Sequence, residues 1–312
     1  MPDRRRSPRA GRGRAPARRS RTPEPRPFAG THPIATGEAE LVADRDDPDG
    51  WMVIVNGVPS SYVHLTDPTR LEFEYVRWIG DVLDLLNAPL AAPAPLRVAH
   101  LGGAGCTLAR YVMATRPGSR QLVFEHDAKL VELVRQAFGL RREGGLRIRV
   151  DDARSGLSKL WEASVDVVIR DAFVGDTVPE HLTTVEFGHE VARVLAPHGV
   201  YVANVADRAE QRHARAEAAT LREVFREVAL IAEPSQLRGR RYGNVLVLAS
   251  NAPLPLDALT RRLASGAIRA RVVPPERVAR LVAGLRPLTD PPATPSDRDS
   301  SGGDQDLSPT SP

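Results

Sequence analysis

One stretch limits what this chain can fold into: Val98-Ala-His-Leu-Gly-Gly-Ala-Gly-Cys-Thr-Leu108. It reads as a short buried strand, a glycine turn and the start of a helix. Glycine is needed where a backbone must turn sharply and approach a ligand with no Cβ in the way. A helix that starts there points free N–H groups at whatever sits in the turn. About 20 residues on, a second strand, Gln121–Glu125, ends in a carboxylate. Strand, glycine turn, helix, strand and acid form the front half of a nucleotide-binding α/β domain. The dinucleotide fingerprint G-x-G-x-x-G is met at Gly103 and Gly105, but Leu108 stands at its third position. That disfavours a pyrophosphate cradle and favours a nucleoside of the adenosylmethionine type. A tight turn with no ligand is the plainer reading of the same residues.

The pattern after Leu96 alternates strands and helices. Strands are expected at 97–101, 121–125, 146–150, 165–170 and 199–205, with helices at 107–115, 127–138, 154–161 and 184–195 between them. Short β-branched runs between helices predict a parallel sheet covered on both faces. A long helix is expected over 209–227. Two strands, 228–232 and 244–249, then follow, joined by a connection so short that they must be antiparallel. The fold class is therefore α/β: a Rossmann-like, class I methyltransferase-type sheet, its parallel strands closed by an antiparallel pair. Residues 253–287 are expected to add one or two short helices.

Ahead of this core, residues 29–95 read as a small β-rich lead-in followed by a helix. Strands are expected at 39–43, 51–55 and 60–65, with turn chemistry at Asp46-Asp-Pro-Asp-Gly50 and Asn56-Gly57. Apolar residues at helical spacing predict a helix over 71–86. The core domain is expected over 96–290.

In an open α/β sheet the ligand lies beyond the carboxyl ends of the strands. Four strand ends here carry suitable groups: the turn with Gly102, Gly103 and Gly105; Glu125, for two ribose hydroxyls; Asp151-Asp152-Ala153, for an adenine amino group; and Asp171. Each has a structural alternative. Asp152 suits a helix N-cap, and Glu125 a helix-start acid favoured by the dipole.

The set Trp51–Gly57, Leu71-Glu-Phe-Glu-Tyr75, His100–Gly105, Phe124-Glu-His-Asp127, Asp151-Asp-Ala153, Asp166–Asp171 and Pro287-Leu-Thr-Asp290 resembles the spermidine/spermine synthase family. The resemblance covers roughly residues 37 to 290. It implies an aminopropyltransferase, with decarboxylated S-adenosylmethionine as co-substrate and methylthioadenosine as product. It implies nucleoside contacts at Gly102, Gly103, Gly105, Glu125, Asp152 and Ala153, substrate contact at Tyr75, and a catalytic acid–base role for Asp171. No metal is expected. A carboxylate beside a sulfonium suits this chemistry, because the amine must lose a proton as it attacks.

Three departures stand out. The family's glycine motif has an acid where Gly105 stands, the second acid of its fourth-strand pattern is Val174 here, and Arg77 replaces an acid near Tyr75. Asp176 is close by but out of register. A polycation needs carboxylates along its groove, so the acceptor is left open. Intact S-adenosylmethionine with methyl transfer is one alternative, and a non-catalytic nucleoside-binding member is another.

The partner expected is a small-molecule amine, and a homodimer is admitted. Ten arginines among residues 1–26 face Asp3 and Glu24, so the basic balance of the chain belongs to a tail. No aromatic interleaves them, so nucleic-acid binding through base stacking is not supported. The single cysteine, Cys106, rules out an internal disulfide. The absence of a secretory signal or a long apolar run places the expected location in the cytoplasm, away from membranes. Residues 1–28 and 291–312 are too poor in large apolar side chains to form a core and are expected to be disordered. Limited proteolysis is expected to trim both ends and leave a stable middle; protection of either end would contradict this.

Overall fold

The computed structural model describes residues 28–86, 93–140, 145–208, 210–266 and 268–292. The expected tails lie outside these, apart from Phe28, Pro291 and Pro292. The chain opens with a four-stranded antiparallel meander: β1 (Gly30–Ile34), β2 (Gly37–Ala43), β3 (Gly50–Val55) and β4 (Val58–His64). Asn56 and Gly57 turn β3 into β4 with both φ values positive, the geometry that matches the twist of a hairpin. The sequence reading missed β1, a short edge strand with one buried residue, Ile34.

Helix α1 (Glu74–Leu85) follows and buries Tyr75, Val76, Trp78, Ile79, Val82 and Leu83. The large sheet comes next, with β5 (Arg97–Leu101), α2 (Thr107–Thr115), β6 (Arg120–Glu125), α3 (Ala128–Phe138) and β7 (Leu146–Val150). Then come α4 (Ala153–Ser158), β8 (Val165–Arg170), α5 (Val185–Val194), β9 (Leu195–Asp207) and α6 (Arg212–Leu221). The chain closes with β10 (Glu227–Ala232), α7 (Pro234–Leu237), β11 (Gly243–Ser250), α8 (Leu256–Ser265), β12 (Arg271–Val273) and α9 (Pro275–Leu281).

The sheet order is β12-β10-β11-β9-β8-β5-β6-β7. Strands β5 to β9 run parallel, β11 is antiparallel to both β9 and β10, and β12 is antiparallel to β10. This is the expected Rossmann-like architecture, with one strand more than foreseen. Side-chain alternation splits the core in two. Ala99, Val168 and Tyr201 face α4, α5, α6 and α9, while Val98, Val167 and Val202 face α1, α2 and α8. A third cluster joins Leu41, Trp51 and Val53 of the meander to Leu130 and Val134 of α3.

Two expectations are corrected, and a third, the short helices of 253–287, is met with a strand added. The long helix over 209–227 is only α6, because Phe225 turns inward and Glu227 already pairs with Ser250. Residues 253–287 contain β12 between two helices; three residues are too few to show a period. Helix α4 stops at Ser158 rather than Trp161, which is 86% exposed.

Arg170 ends β8 with its guanidinium fully buried. It donates to both carboxylate oxygens of Glu217 on α6, at 2.5 and 2.6 Å, and to the Tyr201 hydroxyl at 3.0 Å. Such a pair is costly to assemble but far costlier to break. Glu217→Ala is therefore expected to lower unfolding free energy by about 3–5 kcal/mol in denaturant titrations. A loss below about 1 kcal/mol would mean that solvent compensates Arg170.

Candidate functional site

Strands β5, β6, β7 and β8 end on one edge of the sheet. A cavity of about 770 Å³ lies there, bounded also by β4 and the start of α1. Gly102 makes this edge: its φ is +83°, and a Cβ on it would stand 2.4 Å from the Asp171 carbonyl oxygen. The turn after β5 and the end of β8 thus touch backbone to backbone. The Asp171 N–H donates to Leu101 O at 2.9 Å, fixing the register there.

The Gly103 and Ala104 N–H groups point at Glu125 Oε2, at 3.2 and 3.4 Å. Glu125 Oε1 accepts from the Asp127 N–H and lies 3.2 Å from His126 Nδ1. Burial pushes the Glu125 carboxyl up, but these donors outweigh it and hold it below the usual carboxylate range. Asp152 Oδ1 caps α4, accepting from the N–H groups of Arg154 and Ser155, while Oδ2 lies 2.9 Å from His181 Nε2. Ala153 lines the cavity beside it.

Gly105 is not brought to the cavity. Its N–H donates to Ser61 Oγ at 3.0 Å, and a Cβ would lie 2.7 Å from Val63 Cγ2. Glycine at this position lets β4 dock on the turn and leaves no room for an acid. Cys106 is buried in the left-handed region, and burial pushes its thiol up to about 12, so it is no nucleophile at neutral pH.

Asp171 lies at the centre. Its Oδ2 accepts from the Tyr75 hydroxyl at 3.0 Å and its Oδ1 from Asn204 Nδ2 at 2.9 Å. Burial pushes its carboxyl above the usual range, against the pull of Asn204, Tyr75 and the Arg170 charge. Tyr75 is pushed well up by burial and by Asp171, so it stays a donor. Sequence reasoning missed Asn204, although a lone amide in the run Val200–Val205 is a signal. It also passed over Asn244, whose Nδ2 donates to Glu74 Oε1 at 3.2 Å.

Two of the departures, and the acid close to one of them, find places. Arg77 lies outside the cavity with Nη2 3.6 Å from Glu72, Val174 is an exposed rim residue, and Asp176 lines the cavity despite its register. Glu125, Asp151, Asp152 and Asp171 line the cavity from the strand ends. Glu72, Glu74, Asp127 and Asp176 add to them, and no lysine or arginine among the described residues does. In a chain with 43 Lys and Arg, this makes the cavity lining predominantly acidic. Among the described residues, no cluster of His, Cys, Asp and Glu is arranged to hold a metal, and no helix is long and apolar enough to cross a membrane.

The fold and the strand-end cavity define a class: Rossmann-like α/β proteins of the class I methyltransferase type, here with a small antiparallel sheet docked in front. A probable spermidine synthase from Corynebacterium glutamicum ATCC 13032 is 41% identical and superposes with a TM-score of 0.80, covering 86% of this chain and 98% of that one. The chain belongs to the spermidine synthase family. A polyamine aminopropyltransferase of Vibrio vulnificus (strain CMCP6) is 29% identical over 188 residues, 60% of this chain and 58% of that protein. The matched stretch spans somewhat over half the length of the first curated relatives. A spermidine synthase in complex with the transition state analogue AdoDATO shares the fold at 16% identity, with a TM-score of 0.52 over 75% of this chain and 76% of that one. No protein-family model matches the chain.

His100, in the glycine motif, is a core residue. Its Nε2 lies 2.8 Å from Gln121 Oε1, whose amide in turn donates to Ala109 O, and burial lowers its pKa to about 4. An unfolded histidine titrates near 6.5, so the unfolded state gains a proton first as pH falls. Stability should be full above about pH 6.5 and fall by about 3 kcal/mol as pH drops toward 4. Urea titrations from pH 7 to 4 should find this slope reduced in His100→Gln; an unchanged slope would mean that His100 protonates freely in the fold.

Proposed function

We propose that this protein transfers an aminopropyl group from decarboxylated S-adenosylmethionine to an amine. The observation that supports this best is the acid-lined cavity centred on Asp171, which lacks any lysine or arginine among the described residues. Both reactants are cations. The names of the Corynebacterium and Vibrio relatives point the same way, and the AdoDATO-bound neighbour supports an adenosyl donor.

Gly102 and Gly103 let the nucleoside approach the turn, Glu125 takes the ribose hydroxyls, and Asp152 with Ala153 meets the adenine. The amine nitrogen attacks the aminopropyl carbon next to the sulfonium. The C–S bond breaks with its electron pair going to sulfur, which leaves as neutral methylthioadenosine. The nitrogen gives up a proton to Asp171, which Tyr75 and Asn204 hold in place, before it attacks, so that its lone pair is free; after attack the product nitrogen carries the positive charge the sulfonium has lost. Intact S-adenosylmethionine suits the site less. Its extra carboxylate would enter a cavity lined by carboxylates and, among the described residues, by no lysine or arginine.

The test is mass spectrometry of the protein incubated with either donor and with putrescine, spermidine or a cell extract. An aminopropyl mass gain is expected, and a methyl gain would replace this reading. Asp171→Asn should lower kcat by about 10²–10⁴-fold. The wild-type rate should fall as pH drops through the raised Asp171 pKa, and the variant should lose that limb. Equal turnover in the variant would remove Asp171 from its role.

A further inference from the structure

The chain departs from the family's acidic pattern at Arg77 and Val174, and neither side chain repairs the loss. Arg77 lies outside the cavity, and Val174 is apolar and exposed. Several carboxylates face the cavity from positions outside that pattern, and one of them, Glu74, is held by an amide from a distant strand. Glu74 opens α1 and precedes Tyr75. Its Oε1 accepts from Asn244 Nδ2, which reaches it from β11 across 170 residues of chain, and both residues line the cavity.

An acid in the first turn of a helix is ordinarily explained by the helix dipole. That explanation is met by any rotamer near the N-terminus. It does not account for an amide from a distant strand that holds the side chain in one direction, at a cost in rotamer entropy. Two nearby acids are otherwise engaged, while Asp176 is exposed and is held, among the described residues, only by the hydroxyl of its neighbour Thr177. Glu72 faces Arg70 and Arg77, at 3.8 and 3.6 Å, and Asp171 is held by Tyr75 and Asn204. Glu74 has no ion-pair partner among the described residues.

The two asparagines form a related pair. Asn204 stands opposite Leu246 and Asn244 opposite Ala206, so they sit two positions apart on the adjacent strands β9 and β11. Each donates an N–H to one carboxylate of the same cavity. A neutral amide orients a carboxylate without cancelling its charge. The charge therefore stays available to a cationic ligand, which an arginine partner would have displaced.

From this arrangement we infer that Glu74 is the second cation-binding carboxylate of the acceptor site and sets its preference for a diamine over a monoamine. The identity of the acceptor rests on the aminopropyl-transfer reading above; the geometry of Glu74 and Asn244 does not.

Calorimetry on the full chain saturated with methylthioadenosine tests this, with 1,4-diaminobutane and 1-aminobutane as probes. The wild type is expected to bind the diamine at least about 10-fold more tightly, the scale of one hydrogen bond to a charged group. Glu74→Gln should bring the diamine to the affinity of the monoamine, leaving the monoamine and methylthioadenosine affinities unchanged. Asn244→Ala should move the diamine in the same direction by a smaller factor. In turnover, Glu74→Gln should raise KM for the diamine and leave kcat nearly unchanged. The inference is overturned if the variant weakens both amines equally, if it keeps the wild-type preference, or if the wild type binds neither amine. If diamine binding depends on Glu74 while the wild type transfers no aminopropyl group, the functional reading falls and the assignment of Glu74 stands.

Discussion

The site depends on one close approach. Gly102 brings the turn after β5 against the backbone of Asp171, so that a Cβ would sit 2.4 Å from its carbonyl oxygen. Nothing larger than glycine fits. The contact is reinforced by the hydrogen bond from the Asp171 N–H to Leu101 O and by the parallel pairing of His100 with Ile169. It places the glycine turn and the Asp171 carboxylate on the same side of one cavity, and the other groups are arranged around that pair. Asn204 reaches Asp171 from β9 and Tyr75 reaches it from α1.

The small antiparallel sheet is fixed to this edge by backbone-directed contacts. Ser61 accepts from the Gly105 N–H, Thr107 donates to Tyr62 O, and Asp127 accepts from Ala35 and Thr36. Gly105 therefore serves the docking of β4 on the turn. The same glycine that reads as a lost acid in sequence is what allows β4 to close on the turn.

Charge in this protein is distributed by role. Buried Arg170 is neutralised by Glu217 below the site, while Asp171 and Glu74, which face the cavity, are held by neutral donors. Desolvation raises the Asp171 pKa, and backbone and histidine donors lower that of Glu125. Two carboxylates at the ends of β8 and β6, the strands that flank β5, are thus pushed in opposite directions.

The sequence by itself determined the fold class, the five parallel strands, the glycine turn and the carboxylates at the strand ends, because periodicity and turn chemistry are local. It did not determine β1 or β12, which are short and take their conformation from pairing, or the early stop of α6, which follows from the pairing of Glu227 with Ser250. Tertiary structure alone decided that Gly105 packs on Ser61, that His100 is a core residue bonded to Gln121, and that Arg77 points away from the cavity. It also decided that Glu74 and Asn244, 170 residues apart, meet. Side-chain direction and contacts between distant strands are set by packing, and no spacing along the chain encodes them.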